Sequence, residues 1–375
     1  TDGSTDNTFD NDGIATAGFI EFSNDRAFAV ALQPDGKIVL GGYYSAGSMN
    51  RDFAMIRFNP DGVLDPSFGG GSITSAIDVG DDEIQSLLVQ DDGKIVAGGY
   101  SFNFATRVFV IARYNPDGSP DSDFGNAGVA TTTFTENDDA AYALAQQPDG
   151  KYILAGYTHG DTYDFALARY NTDGSPDITF GVDGKVVTPI GDANEEARAL
   201  TIQSDGNILV AGFSYDYWEY FAIARYNPDG SLDSSFGTDG KVITNIDGEG
   251  NYDWIHSIAL QSDGKILVAG RSETEDEGSV FAVARYHNLG SVAISAWPGA
   301  PVAISAYPMP CHDELFFNPV PAHFAVTMYN VQGQMISGLI TTSTGIKLPP
   351  DLPAGIYNLH IRSGEHEARL SICKE

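Results

Sequence analysis

The chain has two cysteines in 375 residues, Cys311 and Cys373, too few for a disulfide framework or a multi-cysteine zinc site. It is also short of positive charge: 20 Lys and Arg stand against 51 Asp and Glu, a formal net charge of −31. Phosphate backbones and anionic lipids select basic surfaces, so this balance argues against nucleic acid and acidic membranes as partners. No apolar run approaches the ~20 residues of a membrane span. Histidine is scarce, 7 in all, and no HExxH, GxSxG, phosphate-binding loop or cysteine nucleophile occurs. Thr1-Asp2-Gly3-Ser4 resembles neither a signal peptide nor its basic flank, so an exported protein would be read here in its mature form. What the chain does have is 42% hydrophobic residues, 42 glycines and 18 prolines, the composition of a β-rich protein with a large core and many turns.

An internal repeat accounts for most of the length. QPDGKIVLGG, from Gln33, returns as QDDGKIVAGG from Gln90, QPDGKYILAG from Gln147, QSDGNILVAG from Gln203 and QSDGKILVAG from Gln261. Its turn glycines, Gly36, Gly93, Gly150, Gly206 and Gly264, are spaced by 57, 57, 56 and 58 residues. A second marker of the RYNPDG type follows at Arg57, Arg113, Arg169, Arg225 and Arg285, and a third, D-x-x-F-G/D-x-x-G, begins at Asp65, Asp121, Asp177 and Asp233. Apolar strands joined by DG hairpin turns give four short strands per repeat, the size and pattern of a β-propeller blade. The fifth copy ends without its Phe-Gly marker, while the chain opens with Asp6-Asn7-Thr8-Phe9 and Gly13-Ile14-Ala15-Thr16. The expectation is an all-β, five-bladed propeller over residues 1–287, closed by an N-terminal strand that completes the last blade and removes a sheet edge. These strings resemble the delta-60 repeat, a bacterial β-propeller family, which implies the fold and no single activity.

Residues 288–306 carry no charged side chain and read as a linker; residues 307–375 alternate apolar and polar positions, as a small immunoglobulin-like β-sandwich does. Tyr307-Pro308-Met309-Pro310, Met328-Tyr329-Asn330-Val331-Gln332-Gly333, Leu352-Pro353-Ala354-Gly355-Ile356-Tyr357 and the terminal Lys374-Glu375 make this segment similar to the type A C-terminal sorting domain of the type IX secretion system of Bacteroidota. The resemblance implies export across the outer membrane to the cell surface of a Gram-negative bacterium, with an outer-membrane translocon and a shuttle protein as partners, then cleavage and attachment to lipopolysaccharide. In an oxidising compartment Cys311 and Cys373 have two states open, a disulfide across the sandwich or two separate thiols.

Repetition also sorts residues by role. Positions identical in every blade maintain the blade; positions that differ between blades are free to build one asymmetric site. The marker arginines have two readings, a basic binding ring or ion pairs with Asp6, Asp65, Asp121, Asp177 and Asp233. Eight residues before each repeat Gln stand Asp25, Asp82, Asp139, Glu195 and Asp253. They read either as a carboxylate ring at the channel mouth, suited to Ca²⁺, or as caps on their own loops. Five residues before the Gln the chemistry varies: Phe28, Gln85, Tyr142, Arg198 and His256. The face bearing these residues also carries Tyr215-Asp216-Tyr217-Trp218-Glu219 and Tyr252-Asp253-Trp254. Aromatic rings beside carboxylates suit a sugar, whose apolar face stacks while its hydroxyls find acceptors. The expectation is a cell-surface binding or adhesion propeller for a carbohydrate or other surface ligand. The alternative is a glycan-active hydrolase or lyase using channel-mouth carboxylates; rings that merely pack loop against loop are the third reading.

Overall fold

The computed structural model describes residues 3–47, 50–246, 252–274 and 278–288, together with 305–307, 314–318, 325–330, 334–336, 340–341, 345–349, 352–353, 355–363 and 366–374. Among these the chain is strand, turn and loop, with no helix. Two compact units partition it: Thr1–Ser231 with Ile243–Ala259 and Val268–Val283, and Leu232–Val242 with Leu260–Leu267 and Ala284–Glu375.

Each repeat forms one antiparallel sheet with its strands in chain order. The first blade is Arg26–Leu32, Ile38–Tyr44, Asp52–Phe58 and Ser72–Ser75, and the next three repeat it from Asp82–Val89, Asp139–Gln146 and Asn194–Ile202. The DG turn explains the hairpin between strands one and two. Gly36 adopts φ +84°, a left-handed conformation that costs glycine little, its N–H donates to the Gln33 carbonyl, and Asp35 accepts from the Lys37 N–H. Blades stack face to face through alternating side chains. Val39, Phe53, Met55 and Phe68 of blade one meet Ile84, Ile95, Ala97, Val110 and Tyr114 of blade two, and Val96, Phe109, Ile111 and Phe124 meet the corresponding face of blade three. Each fully buried Phe contributes roughly 2–3 kcal/mol by this burial.

The repeated polar residues form a network at the opposite end of the blade from the variable loops. Arg57, Arg113 and Arg169 bond Asp65, Asp121 and Asp177 at 2.8, 2.6 and 2.8 Å. Lys37, Lys94 and Lys151 reach the same carboxylates at 3.0, 2.8 and 2.8 Å. Each guanidinium lies over its own blade's marker ring, Phe68, Phe124 or Phe180, at 4.6, 4.6 and 4.4 Å. It also donates across the blade boundary to a turn carbonyl of the next blade, that of Pro116, Thr172 or Pro228. Buried guanidinium groups with both charge and hydrogen bonds satisfied are structural, so in these blades the marker arginines are ion-paired and no basic ring forms.

The N-terminal segment supplies the marker turn and not the strand. The Phe9 N–H donates to Asp6, the Gly13 N–H to Phe9, and the Asp10 N–H to Asp61 of blade one, as the Gly69 N–H does to Asp117 and the Gly125 N–H to Asp173. Residues 14–18 make no strand, however, and the fifth sheet has three, Trp254–Leu260, Ile266–Thr274 and Gly278–Tyr286. The run Gly13-Ile14-Ala15-Thr16-Ala17-Gly18 carries one large apolar side chain, Ile14, which is 59% exposed, so little burial holds it to a sheet edge. Asp6 bonds Thr8 within its own turn, and Arg285 is exposed.

The C-terminal segment holds two antiparallel sheets of four strands. One is ordered Ser305–Tyr307, Glu314–Asn318, Gly345–Lys347, Ile340–Thr341, and the other Met335–Ile336, Ala325–Asn330, Gly355–Ser363, His366–Lys374. Met328, Tyr357 and Leu359 of the second and Ile346 of the first are buried. Leu352 is buried, and the Tyr357 hydroxyl donates to the Pro353 carbonyl at 2.8 Å, which fastens the turn before the long hairpin. Tyr307, Gly355, Ile356 and Lys374 lie in strands; Pro308, Pro310, Ala354, Cys311 and residues 289–304 of the linker lie outside the described residues.

Candidate functional site

A repeated backbone irregularity positions the variable side chains. In the first strands of blades one to four the pairing register shifts between Ala27 and Ala29, Ile84 and Ser86, Ala141 and Ala143, and Ala197 and Ala199. The residue skipped is Phe28, Gln85, Tyr142 or Arg198, the position whose chemistry varies. A β-bulge re-aims a side chain out of the alternating pattern. It also presses the first strand's backbone onto the second: a Cβ at Gly42, Gly99, Gly156, Gly212 or Gly270 would sit 1.7 to 1.9 Å from the carbonyl oxygen of Arg26, Glu83, Ala140, Glu196 or Trp254. The last glycine of each GG or AG pair therefore serves the bulge opposite it.

At this end of blades three, four and five the aimed residues meet. The Arg198 guanidinium lies 3.9 Å from the Tyr142 ring centroid and 5.9 Å from that of Trp254, and it bonds Glu196. Trp254 stacks on Phe213 at 4.8 Å and 10°, carries Arg271 on its ring at 4.3 Å, and donates through Nε1 to Glu219. His256 is 6.1 Å from Trp254. Burial pushes Glu219 up to about 7, with Arg271 and Arg198 pulling it back only in part, and burial raises Glu196 against Arg198 and Arg107. Burial lowers His256, and Arg198 and Arg271 lower it further, which favours its neutral form. The cluster thus presents aromatic rings overlaid and edged by paired ions, with acceptors and donors side by side. Blades one and two continue the pattern: Arg51 lies over Tyr43 and bonds Glu83, and Arg107 lies over Tyr100 and bonds Asp138 at 3.0 Å.

Of the residues expected on this face, Tyr142, Arg198, Trp254 and His256 come together. Trp218 and Tyr252 form a separate pair at 5.8 Å, Tyr215 lies in the second strand of blade four opposite Asn194, Asp216 ends that strand opposite Trp218, and Tyr217 makes the hairpin tip. The repeat filter passed over Glu83, Glu196, Phe213 and Arg271, and took in Glu219 only as the end of a variable loop. Glu83 and Glu196 stand opposite Tyr100 and Phe213 in the register, so the positions seven before and ten after the repeat Gln carry a second variable ring that the same filter could have found.

The acidic ring is not a metal cage. Asp82, Asp139, Glu195 and Asp253 are fully buried, and each turns to the loop that leads into its own strand. Ile77 and Asp78 N–H donate to Asp82, Phe134 N–H to Asp139, Ile190 and Gly191 N–H to Glu195, Ile246 N–H to Asp253, and Phe19 N–H with the Ser23 hydroxyl to Asp25. Among the described residues no three His, Cys, Asp or Glu side chains converge as ion ligands, so the Ca²⁺ expectation loses its site. Burial against these bonds raises Asp139, Asp82 to about 6 and Glu195 to about 7. Crevices of about 440, 650 and 750 Å³ lie elsewhere, between adjacent blades at the marker turns, and are lined largely by repeated residues such as Gln33, Arg57 and Asp117.

The family described as "Domain of unknown function (DUF5122) beta-propeller" matches residues 33–68, 90–124, 147–180, 203–236 and 261–292. Among solved structures, the extracellular domain of a putative hybrid two-component system from B. thetaiotaomicron is similar at 12% identity and TM-score 0.37, over 84% of this chain and 35% of that one. A protein from Dyadobacter fermentans is similar at 10% identity and TM-score 0.40, over 92% and 94%. An exo-1,5-α-L-arabinanase from a bovine ruminal metagenomic library is similar at 11% identity and TM-score 0.37, over 77% and 99%. The chain spans about a third of the length of the first of these, and at such values no activity passes from any of them to this chain. Among curated proteins none matches. Five matched repeats coincide with five antiparallel blades, so the chain is a β-propeller protein whose repeats match the DUF5122 model.

Proposed function

We propose that this is an exported, cell-surface propeller that binds a carbohydrate or similar surface ligand through the cluster around Trp254. The carrying observation is a convergence: a fold that repeats its scaffold residues varies two first-strand positions, the bulged one and the one two before it, and at one end of the blades these bring Tyr142, Arg198, Glu196 and Trp254 together as aromatic rings beside paired ions. Such a surface matches a pyranose, apolar on its faces and hydroxylated at its rim. The export reading rests on the YPxP, MYNVQG and LPAGIY elements of residues 307–375 and names a type IX translocon and shuttle as partners.

A glycan array probed with the full chain, with and without Ca²⁺, tests the binding reading; no binding in either condition sinks it. Deleting residues 307–375 in a type IX-competent host tests export, and a truncated chain that still reaches the surface refutes it. A second reading, glycan hydrolysis, is favoured by one observation: Glu219, raised to about 7, holds a proton near neutrality beside the raised Glu196. Release of reducing sugar, abolished by Glu219→Gln, would establish it.

A further inference from the structure

Among the described residues eight that are not glycine have positive φ. Asp10, Asn11, Ala127, Asp183 and Asp239 belong to the repeated marker turn, where short side chains tolerate left-handed backbone. The other three are aromatic: Phe22 at 64°, Phe104 at 66° and Tyr217 at 64°. A bulky side chain is sterically disfavoured there. The same three rings are also left in water, 96%, 62% and 82% exposed. Two unfavourable terms, backbone strain and apolar exposure, fall on one residue three times over, and packing within the protein offsets neither at Phe22 or Tyr217. Strain of this kind gathers where a ligand is held.

The three rings share one end of the blades. Phe22 precedes the first strand of blade one (Arg26–Leu32), Phe104 lies between Ile95–Phe102 and Arg107–Tyr114 of blade two, and Tyr217 lies between Ile208–Asp216 and Trp218–Tyr226 of blade four. Because Arg26 pairs with Tyr43, and Tyr44 with Asp52, the start of strand one and the turn between strands two and three lie at the same end. Open rings carried at one end of three blades suit an extended chain or flat surface, which several rings can contact at once. Charge narrows the occupant further. Glu21 and Asp216 adjoin Phe22 and Tyr217 in sequence and the net charge is −31, so acidic glycans and anionic bilayers are repelled.

We propose that Phe22, Phe104 and Tyr217 form a second binding surface for an uncharged, insoluble polysaccharide, separate from the cluster around Trp254. Each open ring stacks on the C–H face of a sugar unit in the polymer, and the strained backbone holds the ring outward before the ligand arrives.

The test is sedimentation of the full chain with microcrystalline cellulose, chitin and insoluble β-1,3-glucan, and with phosphatidylcholine vesicles. The expected result is retention on at least one polysaccharide that falls at least ten-fold in the Phe22→Gly, Phe104→Gly, Tyr217→Gly triple variant. Its Tm should be equal or higher, since glycine accepts left-handed backbone freely. No retention on any polysaccharide, unchanged retention in the triple variant, or binding to vesicles alone overturns the proposal. So does a lowered Tm in each single variant, which would show the rings to be packing groups. A Trp254→Ala variant separates the two surfaces: it should lose soluble glycans and keep the insoluble polymer, so that failure of one reading leaves the other measurable.

Discussion

The Cα of Gly156 faces the carbonyl oxygen of Ala140 so closely that a methyl group there would lie 1.9 Å from that oxygen. Gly156→Ala must therefore push two hydrogen-bonded strands apart or undo the bulge at Tyr142. The expected cost is about 3 kcal/mol, the upper range for overpacking, read from denaturant unfolding. Gly160→Ala is the control, because a methyl there meets nothing nearer than 3.9 Å. Equal stability of the two variants would refute the account.

Arg169 joins three elements: Asp177 in its own blade, the ring of Phe180, and the Pro228 carbonyl of the next. Removing it leaves the buried Asp177 with the Lys151 ion pair and the Thr179 hydrogen bonds but without its buried guanidinium, so Arg169→Ala should lose about 3–5 kcal/mol. Arg169→Lys should recover little of that, since an ammonium cannot serve the carboxylate and a carbonyl in another blade at once. A lysine variant as stable as the parent would show that charge alone matters at this joint.

Stability should peak in mildly acid solution. Burial raises Asp82 to about 6 and Glu195 to about 7, so the folded chain holds protons that unfolded carboxyls release near pH 4. Their contribution is complete below about pH 4 and disappears as the pH rises through 6 and 7. Asp121 runs the other way: burial acts to raise it, but bonds from Lys94, the Asp123 N–H and Arg113 prevail and hold it at about 2, so its contribution is lost on acidification below about pH 4. Tm measured from pH 3 to pH 8 should therefore pass through a maximum near pH 4 to 5, and Asp82→Asn with Glu195→Gln should flatten the fall above it. A Tm that climbs steadily to pH 8 would contradict these assignments.

Trp254 holds its place by a stack on Phe213, a cation on its face and a bond to Glu219. Trp254→Ala should weaken a ligand found on the array at least ten-fold, as loss of a central aromatic anchor does. Trp254→Phe keeps the stack but loses the Glu219 bond, so its affinity should fall between the two. Calorimetric titration with that ligand supplies the measurement, and parent-like affinity in Trp254→Ala would move the site elsewhere.

The blades were legible in the sequence because the residues that make them repeat with period: Gln33, Gly36, Arg57, Asp65 and Phe68 recur at the same offset and do the same job in blades one to three. The site was legible in part. Tyr142 and Arg198 stood out as variable, but a bulge cannot be counted from spacing, so the neighbours it brings to them, Glu196 and Phe213, were passed over. Asp82 and Glu195 left a ring and a cap both open for a local reason, and the cap is what forms. A carboxylate at a fixed offset looks like a ring when only the period is visible, and the N–H groups it caps belong to backbone, which leaves no mark in the sequence. The N-terminal segment divided the same way: Phe9 and Gly13 announced their turn, whereas the strand depended on burial that Ile14 does not obtain.

The joint between blades also bears on how such a chain could grow. Arg57, Arg113 and Arg169 each grip the following blade by a main-chain oxygen, that of Pro116, Thr172 or Pro228, and so make no demand on the side chain found there. A newly duplicated blade arrives with its own hook and its own eye, and the side chains of its mouth-facing loops can diverge without any change to the fastening.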